Sequence, residues 1–471
     1  MKQFPIQQAR TLVNEFFDFV AKAVSPFHVT SLCKERLAKS GFLELNETEN
    51  WKLEKGGKYF FTRNLTTIVA FTVGQQFDPN NTGFKIIGAH TDSPCLRLAP
   101  VSKLDSNGFL QTCVSTYGGG LWHTWFDREL TLGGRIIFKK ENVFQSQLFH
   151  YQQPLLKIPN LAIHLTTDRN SFAPNNESNL RPVFAQEAYQ TLTVIQKPKT
   201  EGQTNFENKH YKYLLNLITE QTGIPTSEIL DIDLYFSDCQ PPSYFGLNQE
   251  FISAARIDNL FSSFFALLAI TNPESFTEDQ TFINMICLYD HEEVGSQSAQ
   301  GADSSLLSNN MKRIYDILSN PTNTSTDSFY KAIQKSFLIS SDMAHSIHPN
   351  YSDKHQQNHR VKMNEGIVIK VNHNQRYATD GVSSAILRVV AQSANVPIQD
   401  FIVKNDSPCG STIGPLQASN TGIKTIDIGA AQWGMHSIRE TAGVVDGYYL
   451  EKLFVEFYKQ YEKIDHKLLG I

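Results

Sequence analysis

Residues 84–94, FKIIGAHTDSP, decide how this chain of 471 residues is interpreted, because an apolar run typical of a buried strand ends in His90, Thr91 and Asp92. An ionisable side chain beside a core is costly unless it is paired or bound to a metal. In open α/β sheets, functional residues gather in the crevice at the carboxyl ends of the strands. The segment therefore predicts a strand that carries His90 to such a crevice.

Four other segments also place ionisable residues beside an apolar run. They are AARIDNLFSSFFALLAI with Asp258, FINMICLYDHEEVGS with Glu292 and Glu293, FLISSDMAHSIHPNY with Asp342 and His345, and TIDIGAAQWGMHS with His436. Carboxylate and imidazole ligands without thiolate favour zinc, manganese or cobalt. Two histidines and three carboxylates fit two metal ions that share a bridging aspartate, an arrangement that can generate hydroxide and polarise a carbonyl.

Each segment also has a simpler interpretation when it is taken alone. Asp258 precedes an apolar helical stretch and would be favourable as its N-terminal cap. Glu292 and Glu293 fit a solvated turn, although adjacent side chains point in different directions, so one can bind a metal while the other faces water. The spacing of Asp342 and His345 is that of neighbours on one helical turn.

The length predicts two domains, because a single core stops growing below this size. Residues 1–97 and 249–471 alternate between helical and strand patterns and contain all the candidate metal residues. Residues 98–248 are richer in Asn, Gln and Pro, with short strand-like runs and the polar loop QKPKTEGQTNFENKHYK at 196–212. We therefore predict a discontinuous α/β catalytic domain at 1–97 and 249–471, with an inserted β-rich domain at 98–248.

Charge and composition exclude several classes of protein. The formal net charge is −5 and no Lys/Arg cluster is present, which argues against a nucleic-acid partner. No run of 18 apolar residues exists, so no membrane span is expected. The N-terminal segment has helical apolar spacing with interleaved charges, unlike a signal peptide, and predicts a cytoplasmic protein. The six cysteines form no CxxC pair, which argues against a disulfide scaffold or a thiolate zinc site.

Nine ordered motifs resemble the aspartyl aminopeptidase family of dinuclear zinc metallopeptidases, which includes the vacuolar aminopeptidase I type. They are GAHTDSPCLRL, TYGGGLWHTWFDREL, LAIHL, ARIDNL, DHEEVGS, SDMAHSIHPNY, GIVIKVNHNQRYATDG, DSPCGSTIGP and MHSIRE. Two departures are small. Glu129 stands where the family pattern has Asp, and Gln432-Trp433-Gly434 stands where Gln-Leu-Ser is more usual.

The resemblance implies a mixed-sheet zinc-peptidase domain with helices on both faces and two zinc ions per subunit, with Mn²⁺ or Co²⁺ as possible substitutes. His90 and Asp342 would hold one ion and Glu293 and His436 the other. Asp258 would bridge the two.

Glu292 corresponds to the family's general base. It would take a proton from the zinc-activated water, which attacks the first peptide carbonyl, and later return the proton to the leaving amine. A metal-bound His usually donates its second ring N–H to a neighbour, and Asp92 can accept it from His90. The free α-amino group of the peptide would restrict attack to the first bond.

The resemblance assigns substrate contacts to His164, Asp342, His345, Lys370 and Tyr377. Three ligand carboxylates and one hydroxide roughly cancel the charge of two zinc ions, so an acidic N-terminal side chain needs a separate cation. Lys370 is the best-placed candidate. Without the resemblance, an exposed Lys after a β-branched strand would be the simpler interpretation of Lys370.

The inserted domain is implied to pair two subunits, and family members form tetrahedral dodecamers. LAIHL predicts a short alternating strand, from which His164 would reach the active site of the partner. Two rival functions remain open. The same two-metal core could deacylate small amides, since function belongs to the site rather than the fold. A non-catalytic scaffold is the other rival, but that interpretation expects lost ligands and none is missing.

Overall fold

The computed structural model describes residues 6–192, 205–319 and 327–464. The strands are β1 Leu43–Glu44, β2 Lys58–Arg63, β3 Thr67–Thr72, β4 Phe84–His90, β5 Cys95–Ser106, β6 Phe109–Tyr117, β7 Glu129–Lys140, β8 Val143–His150, β9 Leu156–Lys157, β10 Val183–Gln186, β11 Ile229–Asp238, β12 Ser243–Phe245, β13 Phe251–Ala254, β14 Ile283–Tyr289, β15 Phe337–Ser341, β16 Ala344–His345, β17 Ile367–Val371, β18 Ile398–Ile402, β19 Lys424–Gly429, β20 Ala431–Trp433 and β21 Glu440–Gly443.

The α-helices are α1 Ile6–Lys22, α2 Pro26–Lys39, α3 Glu187–Leu192, α4 Lys212–Thr222, α5 Ile257–Thr271, α6 Leu306–Leu318, α7 Ser328–Lys335, α8 Gly381–Ala394, α9 Ile413–Thr421 and α10 Asp446–Gln460. The alternation of helices and strands expected for residues 1–97 and 249–471 is present in the described parts of both segments. The part of the polar loop at 196–204 lies outside the described residues.

A mixed nine-stranded sheet is built from strands within residues 1–97 and 249–471, in the order β1-β2-β3-β14-β4-β15-β19-β17-β18. The four central strands β14, β4, β15 and β19 run parallel to one another. Their apolar runs are buried on both faces, as expected for parallel strands covered by helices. Because they are parallel, their carboxyl ends lie at one edge of the sheet.

Helices cover both faces of this sheet. Successive residues of a strand point to opposite faces, and in β4 Ile87 packs in the core formed with α1, α5, α8 and α10. Ile86 packs on the other side, in the core formed with α6 and α7. The predicted α/β class with helices on both faces is therefore confirmed.

The second sheet contains the seven strands from β5 to β11 and closes on itself, because β11 pairs with both β5 and β7. Its core includes Leu132, Ile136 and Phe236, and Ile218 of α4 covers it. A third, five-stranded sheet has the order β12-β13-β21-β20-β16. This third sheet lies beside the edge of the first sheet at which the parallel strands end, since β16 follows β15 and β20 follows β19 along the chain.

Two further predictions concern membranes and cysteines. Across residues 6–192, 205–319 and 327–464, no helix has both the length and the apolar character that crossing a membrane requires. All six cysteines are free.

Candidate metal centre

The structure brings the candidate metal residues together at the carboxyl edge of the parallel strands. His90 ends β4, Glu292 and Glu293 follow β14 in a 3-10 turn, and Asp342 comes directly after β15. His436 follows β20 through a turn in which its own φ is +67°. Four different segments therefore deliver their side chains to one crevice.

Asp258 lies at the middle of this group, with one oxygen facing each imidazole. Its Oδ1 is 3.4 Å from Nε2 of His90, and its Oδ2 is 3.6 Å from Nε2 of His436. A carboxylate with this orientation can bridge two metal ions. The simpler capping interpretation of Asp258 is not supported, because no side-chain hydrogen bond caps α5 and Oδ1 of Asp258 is buried without a hydrogen-bond partner.

Each imidazole has a second carboxylate beside it. Oδ1 of Asp342 is 3.7 Å from Nε2 of His90, and Oε2 of Glu293 is 3.3 Å from Nε2 of His436. Two groups of donors thus flank Asp258, one with His90 and Asp342 and the other with His436 and Glu293. The pairs are those that the family resemblance implies.

The adjacent glutamates differ in exposure. The side chain of Glu293 is 3% exposed, whereas that of Glu292 is 14% exposed, and Oε2 of Glu292 is 3.8 Å from Nε2 of His90. Glu292 is close enough to His90 and Asp342 to form a three-donor group with them. The Glu292 carboxylate is therefore the more accessible from the crevice, whereas the Glu293 carboxylate is buried beside His436.

The donor atoms fit metal ions because several have no other partner. Oδ1 of Asp258, Oε1 of Glu293 and Oδ1 of Asp342 are buried without a hydrogen-bond partner. Burying an unpaired carboxylate oxygen costs several kcal/mol or more. Imidazole nitrogens and carboxylate oxygens at separate positions are ligands that zinc accepts. The residues therefore fit the cofactor that the family resemblance implies.

The carboxyl groups repel one another in this buried crevice. Burial raises the pKa of the Glu292 carboxyl to about 8. The His90 imidazole acts to lower this pKa, whereas the Asp342 carboxylate adds to the increase. Burial also raises the pKa of Asp258, and Asp342 again adds to the shift. Divalent cations would relieve this repulsion.

Asp92 lies behind the cluster and connects its parts. The backbone carbonyl of Asp92 is 3.0 Å from Nδ1 of His90, while its carboxylate Oδ1 is 3.4 Å from the same nitrogen. The amides of Glu292 and Glu293 donate to the carboxylate at 3.2 and 3.1 Å. The hydroxyl of Tyr117 also donates to it, at 2.6 Å. A neutral His90 that donates through Nδ1 leaves Nε2 free for a metal.

Glu440 supports the opposite side and was not identified from the sequence. Its buried carboxylate accepts hydrogen bonds from the amides of Asp258, at 2.8 Å, and His436, at 2.7 Å. These two hydrogen bonds fix the backbone of Asp258 and of His436. Its position four residues after His436, in the motif MHSIRE, was the available signal.

The predicted substrate residues Lys370 and Tyr377 lie next to Asp342. Lys370 is 2% exposed, so the exposed-lysine interpretation is wrong. Its Nζ donates to the carbonyls of Asp342 and Met343 at 3.1 and 3.0 Å and is 3.6 Å from Oδ2 of Asp342. The Tyr377 ring centroid is 4.9 Å from the same Nζ. Although burial acts to raise the pKa of Asp342, Lys370 holds it below its usual value.

His345 lines a cavity of about 300 Å³ that also contacts Tyr377 and Gln432. Burial and the Lys370 ammonium lower the pKa of His345 to about 4, so its imidazole is neutral near pH 7. The helical-turn prediction for Asp342 and His345 is wrong. Their segment is extended, because the amide of Asp342 bonds to Ile428 O and His345 lies in β16.

His164 is not brought to the metal cluster within one chain. It lies on an exposed 3-10 turn, Ile163–Leu165, rather than on the predicted strand. The amide of Leu165 bonds to the carbonyl of Ala162 at 2.9 Å instead of to a neighbouring strand. Leu161, Ile163 and Leu165 around it are 62%, 62% and 70% exposed. The alternating pattern therefore marks an exposed apolar surface.

The two departures from the family pattern, at Glu129 and at Gln432–Gly434, leave the metal donors in place. Glu129, at the start of β7, pairs with Lys157 at 3.0 Å on the surface. Trp433 donates from Nε1 to the carbonyl of Ile347 at 2.8 Å and packs on Phe251. Neither residue removes a donor from the cluster.

Two imidazoles and several carboxylates around a shared aspartate define a metallohydrolase-type centre. The family model of the aminopeptidase I zinc metalloproteases (M18) matches residues 19–458, and the chain belongs to this family of zinc-dependent aminopeptidases.

Relatives match over almost the whole chain. A probable aspartyl aminopeptidase of Ricinus communis is 43% identical over 490 residues, covering 99% of both chains. The aspartyl aminopeptidase of Caenorhabditis elegans is 44% identical over 459 residues, covering 96% of both.

Solved structures match the fold as well. The cryo-EM structure of an Ape4 and Nbr1 complex has a TM-score of 0.92 at 38% identity, covering 99% of this chain and 89% of that one. The S. cerevisiae mApe1 dodecamer has a TM-score of 0.86 at 28% identity, covering 99% and 100%.

Proposed function

We propose that this chain removes an N-terminal Asp or Glu from peptides at a site that binds two zinc ions. The observation that carries the proposal is the position of Asp258, whose two carboxylate oxygens face the imidazoles of His90 and His436 at 3.4 and 3.6 Å. The names of the relatives, aspartyl aminopeptidases, support the acidic preference.

Five residues would hold the zinc ions. His90 and Asp342 form one site, His436 and Glu293 form the other, and Asp258 is shared. Bound zinc would supply Lewis-acid activation of water and of the scissile carbonyl. The buried and unpaired oxygens of Asp258, Glu293 and Asp342 support this assignment.

Glu292 is the general base in this proposal. Its carboxylate faces the crevice and lies 3.8 Å from Nε2 of His90, which places it beside the donors without burying it among them. It would accept a proton from the attacking water and return it to the departing amine. The hydrogen bond from its amide to Asp92 holds the backbone of Glu292 in place during this transfer.

Lys370 supplies the positive charge that favours an acidic side chain. An ammonium group has three donors, and two of those of Lys370 are given to backbone carbonyls. The Asp342 carboxylate, with its Oδ2 3.6 Å from Nζ of Lys370, would share the third donor with an acidic substrate. Tyr377 and the neutral His345 line the adjoining cavity and would position the substrate. The amide atoms of Gln432 in the same wall are buried without a hydrogen-bond partner, which is costly unless a ligand pairs with them.

The site is completed by a second subunit. Residues 98–248 form the dimerisation domain inserted between 1–97 and 249–471, and His164 reaches the active site of the partner, where its imidazole N–H would stabilise the oxyanion. The exposed apolar residues around His164 support a subunit contact there. Assembly to a dodecamer is supported by the mApe1 dodecamer, and its tetrahedral arrangement is what the family resemblance implies. The assembly would be cytoplasmic.

A substrate panel tests this function against amide deacylation. Peptides with free N-terminal Asp, Glu, Ala and Leu are compared with N-acetylated versions of the same peptides, before and after chelation of metal. We expect cleavage of the free acidic peptides only, and loss of that activity on chelation. Equal cleavage of the acetylated peptides would instead favour the deacylase.

A further inference from the structure

Tyr117, the last residue of β6, lies where the closed seven-stranded sheet meets the metal cluster. The residue is 8% exposed, and its hydroxyl donates to Oδ2 of Asp92 at 2.6 Å. Its ring lies 6.2 Å from the His291 ring and 5.8 Å from the Arg97 guanidinium. The phenol thus connects a strand of the second sheet with the support of the metal residues.

Asp92 connects Tyr117 to three residues of the cluster. Its carboxylate accepts the amides of Glu292 and Glu293, at 3.2 and 3.1 Å, and its backbone carbonyl lies 3.0 Å from Nδ1 of His90. A carboxylate buried at this depth needs its donors, because each lost hydrogen bond leaves a desolvated charge. Removing the Tyr117 hydroxyl would therefore loosen Asp92 and the turn that holds both glutamates.

The loop that follows Tyr117 contacts the other half of the cluster. The carbonyl of Gly119 accepts from Nδ1 of His436 at 3.0 Å, and the amide of Leu121 donates to the His436 carbonyl at 2.9 Å. Gly118, at φ +73°, packs so closely that an added Cβ would lie 3.2 Å from Cβ of Glu293. One segment of the second sheet thus supports both proposed zinc sites.

We propose that Tyr117 is a positioning residue for zinc, acting through Asp92 on His90 and on the Glu292–Glu293 turn. The inference rests on the proposed function, in that the cluster binds zinc. It adds that the affinity for zinc depends on a hydrogen bond from the inserted sheet, so this sheet contributes to the metal site of its own chain as well as to subunit pairing.

Tyr117→Phe tests the proposal because it removes only the hydroxyl and keeps the ring contacts. Partners in direct contact with metal ligands typically change metal affinity roughly 10–100-fold when they are mutated, and Tyr117 acts one contact further away, so the low end of this range applies. We expect zinc to bind about tenfold more weakly to Tyr117→Phe, measured by competition with a chromogenic chelator, without any substrate present.

Tyr211→Phe is the matched control. Tyr211 is also a buried tyrosine of this region, and its hydroxyl donates to Asp105 at 2.7 Å, but it does not contact the cluster. The two variants are expected to lose similar thermal stability, and only Tyr117→Phe should lose zinc affinity. Unchanged zinc affinity in Tyr117→Phe, or an equal loss in both variants, would overturn the positioning role. A wild-type chain that binds no zinc would overturn the metal assignment itself, which separates the two failures.

Discussion

The metal cluster and the His164 turn differ in how completely one chain organises them. At the cluster, the side chains of His90 and Asp258 are 2% and 4% exposed, and hydrogen bonds from behind fix their positions. Around His164, Leu161 and Leu165 are 62% and 70% exposed. In the first region one chain brings all the proposed metal donors together, whereas the role proposed for the second region requires another chain to cover it. Substitutions in the two regions should therefore have different effects.

The largest effect is expected at the cluster. Glu292→Gln should lower kcat by roughly 10²–10⁴-fold, since the amide cannot carry the proton. The fold and zinc content should remain, because Glu292 faces the crevice and its amide hydrogen bond to Asp92 is unaffected. Glu293→Gln is the matched variant, and it should lose zinc because its carboxylate is buried beside His436. Steady-state kinetics and elemental analysis of both proteins check this, and equal zinc loss would show that the roles are not divided.

His164→Phe should lower kcat by roughly 10²–10³-fold through loss of an oxyanion donor. Zinc content should be unchanged, since His164 does not contact the cluster. Mixed assemblies of His164→Phe and Glu292→Gln subunits should regain part of the activity, because one site would combine the intact cluster of one chain with the intact His164 of the other. Inactive mixed assemblies would mean that His164 does not act across subunits.

Lys370→Met should reduce kcat/KM for acidic N-termini by a further 10–100-fold relative to neutral ones. This change in the ratio corresponds to the roughly 1.5–3 kcal/mol that a hydrogen bond to a charged group typically contributes. The variant also removes the donor to the carbonyls of Asp342 and Met343, so the neutral substrates report this structural loss and the ratio isolates the charge. If the ratio of kcat/KM between Asp and Ala peptides is unchanged, Lys370 does not select acidic substrates.

The smallest effect is expected at the exposed turn. Leu165→Ala should weaken subunit association by about 1 kcal/mol, roughly fivefold, through lost apolar burial. Leu43→Ala is the control, since Leu43 is 64% exposed but lies on β1. Sedimentation velocity across a dilution series measures both. Association that is equally strong in the wild type and in Leu165→Ala would place the subunit contact elsewhere.

The sequence predicts the cluster well because its signals are local. Strands β4, β14 and β15 have buried apolar runs. His90 is the last residue of β4, Asp342 follows β15 directly, and Glu292 lies three residues after the end of β14. Parallel strands then bring these residues to one edge of the sheet. The position of Asp258 between two imidazoles adds a contact over long sequence separation, which the family resemblance implied and the fold supplies.

The remaining features depend on contacts that sequence spacing does not contain. Asp342 and His345 fit a helical turn by spacing, but backbone hydrogen bonds to the neighbouring β19–β20 segment make their segment extended. Residues 161–165 alternate like a buried strand, yet their apolar side chains are exposed. Tyr117 and Glu440 support the cluster from other sheets, and their places in the motifs TYGGGLWHTWFDREL and MHSIRE do not reveal the contacts that they make.

The zinc content of the purified protein tests the central claim most directly. We predict two zinc ions per wild-type chain by elemental analysis, fewer in Asp258→Asn, and a loss of peptidase activity that follows zinc removal in a chelator titration. Restoring zinc should restore the activity. Full activity in a protein that elemental analysis shows to be free of metal would contradict the account.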